Sequence, residues 1–463
     1  MTDLLIRGAE ISAGNRADVL IRDGAVAAVG PGLPATGLAT IEAGGGALLP
    51  GLHDHHLHLH ALAADTNSVR CGPPRVYNAG DLTRALAAAP GDGWIRGVGY
   101  VETVAGVLDS AGLDALCRDR PVRMQHRSGA MWTLNSTAAR LVALDTATDP
   151  GVERDESGRA TGRVWRADTW LRSRLPDTGP PDLTDVGARL ARYGITGITD
   201  ATPDLPQESL AGLIAARRTG ALPQRLNILG VPLGRTGGPE VTTGAYKIVL
   251  ADSGLPAIDT LVDTIARAHA LGRPVAVHCV SREALLILLA AFDEAGAFPG
   301  DRIEHGALIP AESIRTLHRL GVTVVTQPGF LADRGDDYRH RIEPDDLPDL
   351  YRCRSLTESG VGLALSSDAP YGPLDPWQVI AAAVARRAPD GAVVGAAETL
   401  GAATALERYL APLHDPGGPA RTVAAGSPAD LVLLDRPIER ILLAPTADAV
   451  RATFVQGEPV FAR

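Results

Sequence analysis

Residues 48–60 read Leu48-Leu49-Pro50-Gly51-Leu52-His53-Asp54-His55-His56-Leu57-His58-Leu59-His60. An apolar opening runs into five of the chain's 12 histidines within eight residues. A strand alternates its faces residue by residue, so His56 and His58 point the same way. Two imidazoles at i and i+2 can hold one metal ion. His60 shares their parity, whereas His53 and His55 have the opposite parity and are weaker ligand candidates. The cluster closes an apolar strand instead of lying in a tail, which separates it from a surface tag.

Working outward, seven more strand-like segments follow. They are GITGITDA (194–201), LNILGVPL (226–233), AYKIVLA (245–251), PVAVHCV (274–280), RIEHGAL (302–308), VTVVTQP (322–328) and GLALSSDAP (362–370). Most are short, continuous apolar runs, as parallel strands covered on both faces require. Amphipathic stretches lie between several of them: TLVDTIARAHALG (260–272), REALLILLAAFDEAG (282–296) and AESIRTLHRLG (311–321). Each closes near a glycine, a common helix terminator. With residues 48–59 in front, eight strands alternating with helices predict an α/β fold, a (β/α)8 TIM barrel.

The first two strands are too far apart for a single βα unit. Residues 66–183 are therefore expected to be an insertion in a barrel spanning 51–417. It holds helix-like AGDLTRALAAAPG (79–91) and NSTAARLVALD (135–145), and a Gly/Pro/Asp-rich tail at 175–185. The two ends of the chain differ from its centre. DLLIRGAEI (3–11), ADVLIRDGAVAAVG (17–30) and TIEAGGGALLP (40–50) read as short strands, and so does the stretch 426–463. Residues 1–50 plus 418–463 are expected to form one composite β domain.

Three polar residues sit at or just past the ends of apolar strands: His278 in VAVHCV, His305 in RIEHGA and Asp368 in ALSSDAP. In barrels the catalytic residues come from the C-terminal ends of strands. Lys247 is the fourth signal. It is the one lysine among 44 basic residues, the others being arginine, and it lies inside an apolar strand. A lysine there is either paired or neutral. A neutral amine reacts with carbon dioxide to give a carbamate, whose two oxygens can bridge two metal ions. Arginine stays protonated and cannot do this.

These residues together describe a hydrolase. Two divalent metals sharing a hydroxide would lower its pKa toward neutrality and polarise a carbonyl. Asp368 would hold one metal, take the proton from the attacking water and pass it to the leaving group. His and carboxylate ligands suit zinc first, with cobalt, manganese or iron as alternatives.

Composition narrows the remaining classes. The chain has 463 residues, 45% hydrophobic and 21% charged, which is globular composition. A net charge of −10 argues against nucleic acid or an anionic membrane as partner. No apolar run reaches membrane-spanning length, and no secretory signal pattern opens the sequence. Cys71, Cys117, Cys279 and Cys353 form no CxxC pair and read as free thiols in a reducing cytoplasm. No G-x-G-x-x-G follows the first strand, which disfavours a dinucleotide enzyme. The expected partner is a small-molecule substrate, with a homodimer left open.

PGLHDHHLHL, Lys247, His278, RIEHGALI and SSDAP resemble the amidohydrolase superfamily, and in particular amidohydrolase family 3, the YtcJ-like branch. RPVRMQHRSGAMWTLNS, ATGRVWRAD, GITGITDATPD, VVTQPGF, SDAPYGPLDPW and GSPADLVLLD fit that branch, so the resemblance covers nearly the whole chain. It implies a barrel carrying the metals, a β-sandwich from both termini and an insertion that caps the substrate pocket. It implies that His56, His58 and Asp368 bind one metal and that His278 and His305 bind the second. An N6-carboxylated Lys247 would bridge the two.

The sequence departs from the family pattern at His278-Cys279-Val280-Ser281-Arg282-Glu283, where many relatives carry Gly-Asp-Arg-Ala after the histidine. It departs again at Gly129-Ala130, where many carry Gly-His. Both segments bear on the substrate and neither on the ligands. Mononuclear deaminases of the superfamily typically place a glutamate at the position of Ser281, which weighs against nucleobase deamination.

Trp132, Arg163, Gln327, Tyr371 and Trp377 are expected at the barrel mouth as substrate contacts; His126 would line the pocket or support the insertion. The leading expectation is a hydrolase of a non-peptide C–N bond: an amide, cyclic amide, carbamate or urea. The alternatives are a mononuclear N-acyl deacylase or deaminase, and a non-catalytic scaffold, which usually lacks ligands that are all present here.

Overall fold

The computed structural model describes residues 3–176, 179–252 and 254–463. Part of the tail expected at 175–185, residues 177 and 178, lies outside the described residues, as do the first two residues of the terminal β domain. Two compact units divide the chain: 1–59 with 182–463, and 60–181.

The first unit is built on parallel strands. In chain order these are β1 (Leu52–Leu57), β2 (Ile195–Asp200), β3 (Arg225–Ile228), β4 (Tyr246–Val249), β5 (Val275–Cys279), β6 (Arg302–His305), β7 (Thr323–Thr326) and β8 (Gly362–Leu365). Each lies within a segment expected from sequence. β1, β2 and β6 are buried along their whole length, polar residues included, as strands of a parallel sheet covered on both faces are.

The hydrogen-bonded ladder runs in two arcs. One holds β1, β2, β3 and the two-residue strand Thr242–Thr243; the other holds β4 to β8 in sequence order. Among the described residues the ladder is not a closed ring. Isolated backbone bonds join the arcs at both seams: Lys247 N–H to Leu229 O at 3.3 Å, and Asp368 N–H to His56 O at 2.8 Å. At the second seam β8 ends at Leu365, and Asp368 beyond it leaves strand geometry, with φ at +52°.

Helices follow these strands, among them α1 (Ile258–Ala270), α2 (Arg282–Ala295), α3 (Ile314–Leu320) and α4 (Gly329–Arg341). Ser281 caps α2 by accepting the Ala284 N–H at 3.1 Å. The ends of α1 to α3 pass into Gly272, Gly296 and Gly321, all at positive φ, as their sequences predicted.

The segment expected as one strand, 48–59, is divided. Leu48–Pro50 pairs antiparallel with Leu431–Leu434 in a sheet that also holds Val450–Val455 and Glu458–Ala462. After Gly51 the chain enters β1, and a helix starts at Leu59. A second end sheet contains Leu4–Ser12, Asn15–Arg22, Ala25–Gly30 and Ala39–Glu42. Leu4, Ile6 and Val19 from this sheet share one apolar core with Leu48, Leu431 and Phe454 from the other. Residues from both termini therefore form one core.

The second unit carries a six-stranded sheet in the order 152–154, 160–165, 131–134, 122–126, 95–100, 69–70. Helices Ala79–Ala87 and Ser136–Leu141 accompany it, capped by Asn78 and Asn135. The helices were expected and the sheet was not. No helix among the described residues is long and apolar enough to cross a membrane.

Candidate metal centre

His56 ends inside β1, His58 lies one residue past it, and Asp368 lies beyond β8. The backbone bonds Asp368 N–H to His56 O and His58 N–H to Ala369 O bring the two segments side by side. His56 Nε2 lies 3.5 Å and His58 Nε2 3.3 Å from Asp368 Oδ1. Ligand atoms of these three residues all fall within 4.8 Å of one another, as one cation requires. His305, at φ +72° at the end of β6, brings its ring to 4.8 Å from that of His56 and 4.6 Å from that of His278. Positive φ costs a non-glycine residue energy, and at His305 and Asp368 it turns the side chain where the strand alone would not.

The electrostatics suit cation binding. Burial pushes His56 down to about 3 and holds His278 and His305 below the ordinary imidazole range, so all three rings are neutral. Burial opposes ionisation of Asp368, but the histidines that face it, His58 first, outweigh it and hold the carboxyl below its usual range. Burial brings Lys247 down to about 8, against the pull of Glu304 and Asp368. His56 Nε2, Asp368 Oδ1 and Lys247 Nζ are buried with no hydrogen-bond partner. Orphaned polar atoms of this kind cost free energy unless something else satisfies them. Neutral imidazole nitrogens, a carboxylate oxygen and an amine able to become a carbamate form a donor set that fits divalent metals.

The neighbours of these groups were not read from sequence. His56 Nδ1 meets the Glu304 carboxylate, which in turn pairs with Arg302. Arg302 also donates to His55 O at 2.7 Å. Arg302 and Glu304 share one face of β6 and are both buried, and that was the available signal: opposite charges two apart in an apolar strand must pair. His58 Nδ1 bonds Thr202 Oγ1 at 3.1 Å, and His305 Nδ1 bonds Gln327 Oε1 at 2.8 Å. Each contact fixes one ring nitrogen and leaves the other for the centre. Asp54 ties the seam by accepting the N–H groups of His56 and Ser367, and its burial raises it to about 7.

The expected substrate contacts are dispersed. Tyr371 packs on the His58 ring at 5.6 Å, and Gln327 is buried as the partner of His305. Trp377 is fully buried, with Nε1 donating to Tyr193 O. Within the second unit, Trp132 donates to Asp168 at 2.9 Å, Arg163 pairs with Glu153 at 2.6 Å, and His126 bonds Ser128 Oγ at 2.7 Å. His53 bonds Ala411 O, and both ring nitrogens of His55 are buried without a partner.

Histidines and a carboxylate converging where parallel α/β strands end make a candidate metal centre of the kind a metal-dependent hydrolase uses. The comparisons with known proteins agree with this class. The chain belongs to the amidohydrolase family, whose model matches residues 39–461, and it is thereby an enzyme of carbon–nitrogen bonds. It is 26% identical to an N-substituted formamide deformylase of Arthrobacter pascens over 90% of each chain. It is 25% identical to the putative amidohydrolase YtcJ of Bacillus subtilis over 75% of each. The crystal structure of an uncharacterized metal-dependent hydrolase from Pyrococcus horikoshii shares the fold. Its TM-score is 0.75 at 21% identity, over 97% of this chain and 100% of that one.

Proposed function

We propose that the protein hydrolyses a non-peptide C–N bond, an amide, cyclic amide, carbamate or urea, with two divalent metals held by His56, His58, Asp368, His278 and His305 and bridged by carboxylated Lys247. The two arcs of strands act as one eight-stranded barrel, and the end sheets act as its β-sandwich. One observation carries the reading: His56 Nε2 and Asp368 Oδ1 are buried, unpartnered and grouped with His58 within 4.8 Å.

When bound, the metals polarise the carbonyl and bring the pKa of the attacking water toward neutrality, so that a weakly basic carboxylate can accept its proton. The chain supplies the rest. Asp368 takes the proton and returns it to the leaving nitrogen. Glu304 and Gln327 hold the rings of His56 and His305 in fixed tautomers, and the burial of β5 and β6 keeps bulk water away. The formamide relative supports including N-acyl and N-formyl compounds among candidate substrates.

The test combines elemental analysis with a screen of N-acyl amino acids, cyclic amides, carbamates and ureas. About two metals per chain, one carbon dioxide on Lys247, and activity lost to a chelator and restored by zinc are expected. A second reading has one metal and an uncarboxylated Lys247. It draws on the fact that His56, His58 and Asp368 alone, among the described residues, group tightly enough to be recognised as one site. One metal per chain with an unmodified lysine would establish it.

A further inference from the structure

Helix α4 follows β7 directly, so it lies at the end of the strands where the histidines converge. It is not a regular helix. Arg334 breaks it, with φ −148° and ψ 23° between two helical turns. Packing on both sides of the break fixes the bend. A Cβ at Gly329 would meet Pro373 at 2.9 Å, and one at Gly335 would meet Ala388 at 2.9 Å, so only glycine lets the helix sit this close.

The bend buries the Arg334 side chain to 11% exposure. Its guanidinium lies over the Phe330 ring, 4.3 Å from the centroid, and Nη2 donates to Tyr371 O. Tyr371 in turn packs on His58, and its N–H bonds Asp368 O at 2.9 Å. The cation is thus one residue removed from two expected ligands. Its carboxylate neighbour, Asp333, is half exposed and reaches it only at 3.3–3.4 Å, which is a long contact for an ion pair. Among the described residues, the hydrogen bonds of Arg334 run through Nε and Nη2 and none through Nη1. The Phe330 ring under the guanidinium belongs to an apolar cluster with Tyr351, against which Tyr338, Tyr371, Val280 and Leu308 pack, a concentration of rings in a chain only 4% aromatic.

A planar, stacked and desolvated guanidinium with free donors is built for a carboxylate. We infer that Arg334 is a carboxylate-binding subsite beside the metal centre, so that the scissile amide belongs to a molecule carrying a carboxylate next to an aromatic or bulky apolar group, as an N-acyl aromatic amino acid does. The inference rests on the amide-hydrolase reading for the scissile bond but not for the binding of the anion.

The two are separated by a ligand pair that cannot be hydrolysed. N-methanesulfonyl-phenylalanine carries the carboxylate, and N-methanesulfonyl-phenylalaninol has a neutral hydroxymethyl in its place. Calorimetry on the metal-loaded protein should show the acid binding about 10-fold to 100-fold more tightly than the alcohol. Arg334→Gln should abolish that difference and leave the alcohol unchanged. Arg334→Lys, which keeps the charge and loses the planar fork, should retain part of it and serves if the glutamine variant does not fold. Equal binding of the two ligands, binding of neither, or an Arg334→Gln variant that weakens both alike would overturn the subsite, the last showing Arg334 to be a brace for Tyr371. A preserved preference for the acid, without turnover of N-acetyl-phenylalanine or N-formyl-phenylalanine, would leave the subsite standing and count against the hydrolase reading for these amides.

Discussion

The parallel strands of the first unit and the mixed sheet of the second contain the same kinds of polar side chain and treat them differently. On β6, Arg302 is locked to Glu304, and Glu304 to His56, yet the chain of contacts ends on a nitrogen with no partner. In the insertion, Arg96 and Arg123 lie over the Trp132 ring at 5.4 and 5.2 Å, and Trp132 itself is satisfied by Asp168. The first arrangement is a set of polar groups held in place for something added; the second closes on itself. That contrast supports the proposed division between reacting strand ends and a scaffolding insertion, and it can be attacked from either side.

The strongest attack removes the proposed proton acceptor. Asp368→Asn should lower kcat by about 10²–10⁴-fold, because the amide neither accepts the proton nor carries charge to a metal. Steady-state kinetics with circular dichroism as a folding control measure it. Activity within about 10-fold of the parent chain would remove Asp368 from the mechanism.

Lys247→Arg follows. The substitution keeps a cation and a long stem but cannot form a carbamate. Metal content should fall from about two per chain to one, and activity should fall with it. Two metals and full activity in the arginine variant would leave Lys247 as a structural residue. Glu304→Gln is milder. It preserves volume and an acceptor for His56, while losing the charge that Arg302 pairs with and that orients the ring. Affinity for zinc should drop about 10–100-fold by competition with a chelator, even before activity is assayed. An unchanged affinity would show that His56 needs no support.

Much of the first unit was legible because buried parallel strands write themselves as unbroken apolar runs, and because the residues that interrupt those runs are the ones with chemistry. His56, His278, His305, Asp368 and Lys247 all stood out in this way. Glu304 did not, although it sits beside His305, since a motif read for its histidine hides the carboxylate next to it. Nor did Arg334, whose role depends on a helix break that the sequence GFLADRGDDYRHR does not announce. The insertion's sheet was illegible for a different reason. Strands such as Ile95–Tyr100 and Val122–His126 contain Arg and Gly at half-buried positions, so neither alternation nor an apolar run marks them. The join at Gly51 was missed because Leu48–Pro50 runs into Leu52–Leu57 with only one residue between them, and the two differ in which sheet they enter.

The smallest prediction tests the other half of the contrast. Trp132 was expected to face a substrate, and in the structure it is 4% exposed with its indole N–H given to Asp168. Trp132→Phe keeps the ring between Arg96 and Arg123 and removes only the donor. A single net hydrogen bond contributes about 0.5–1.5 kcal/mol, so unfolding of the variant in denaturant should shift by that amount. Because the side chain is engaged inside its own unit, zinc content should not change, and KM should move by less than about 2-fold. A large rise in KM with stability intact would instead make Trp132 a substrate contact and erase the proposed division between reacting strand ends and a scaffolding second unit.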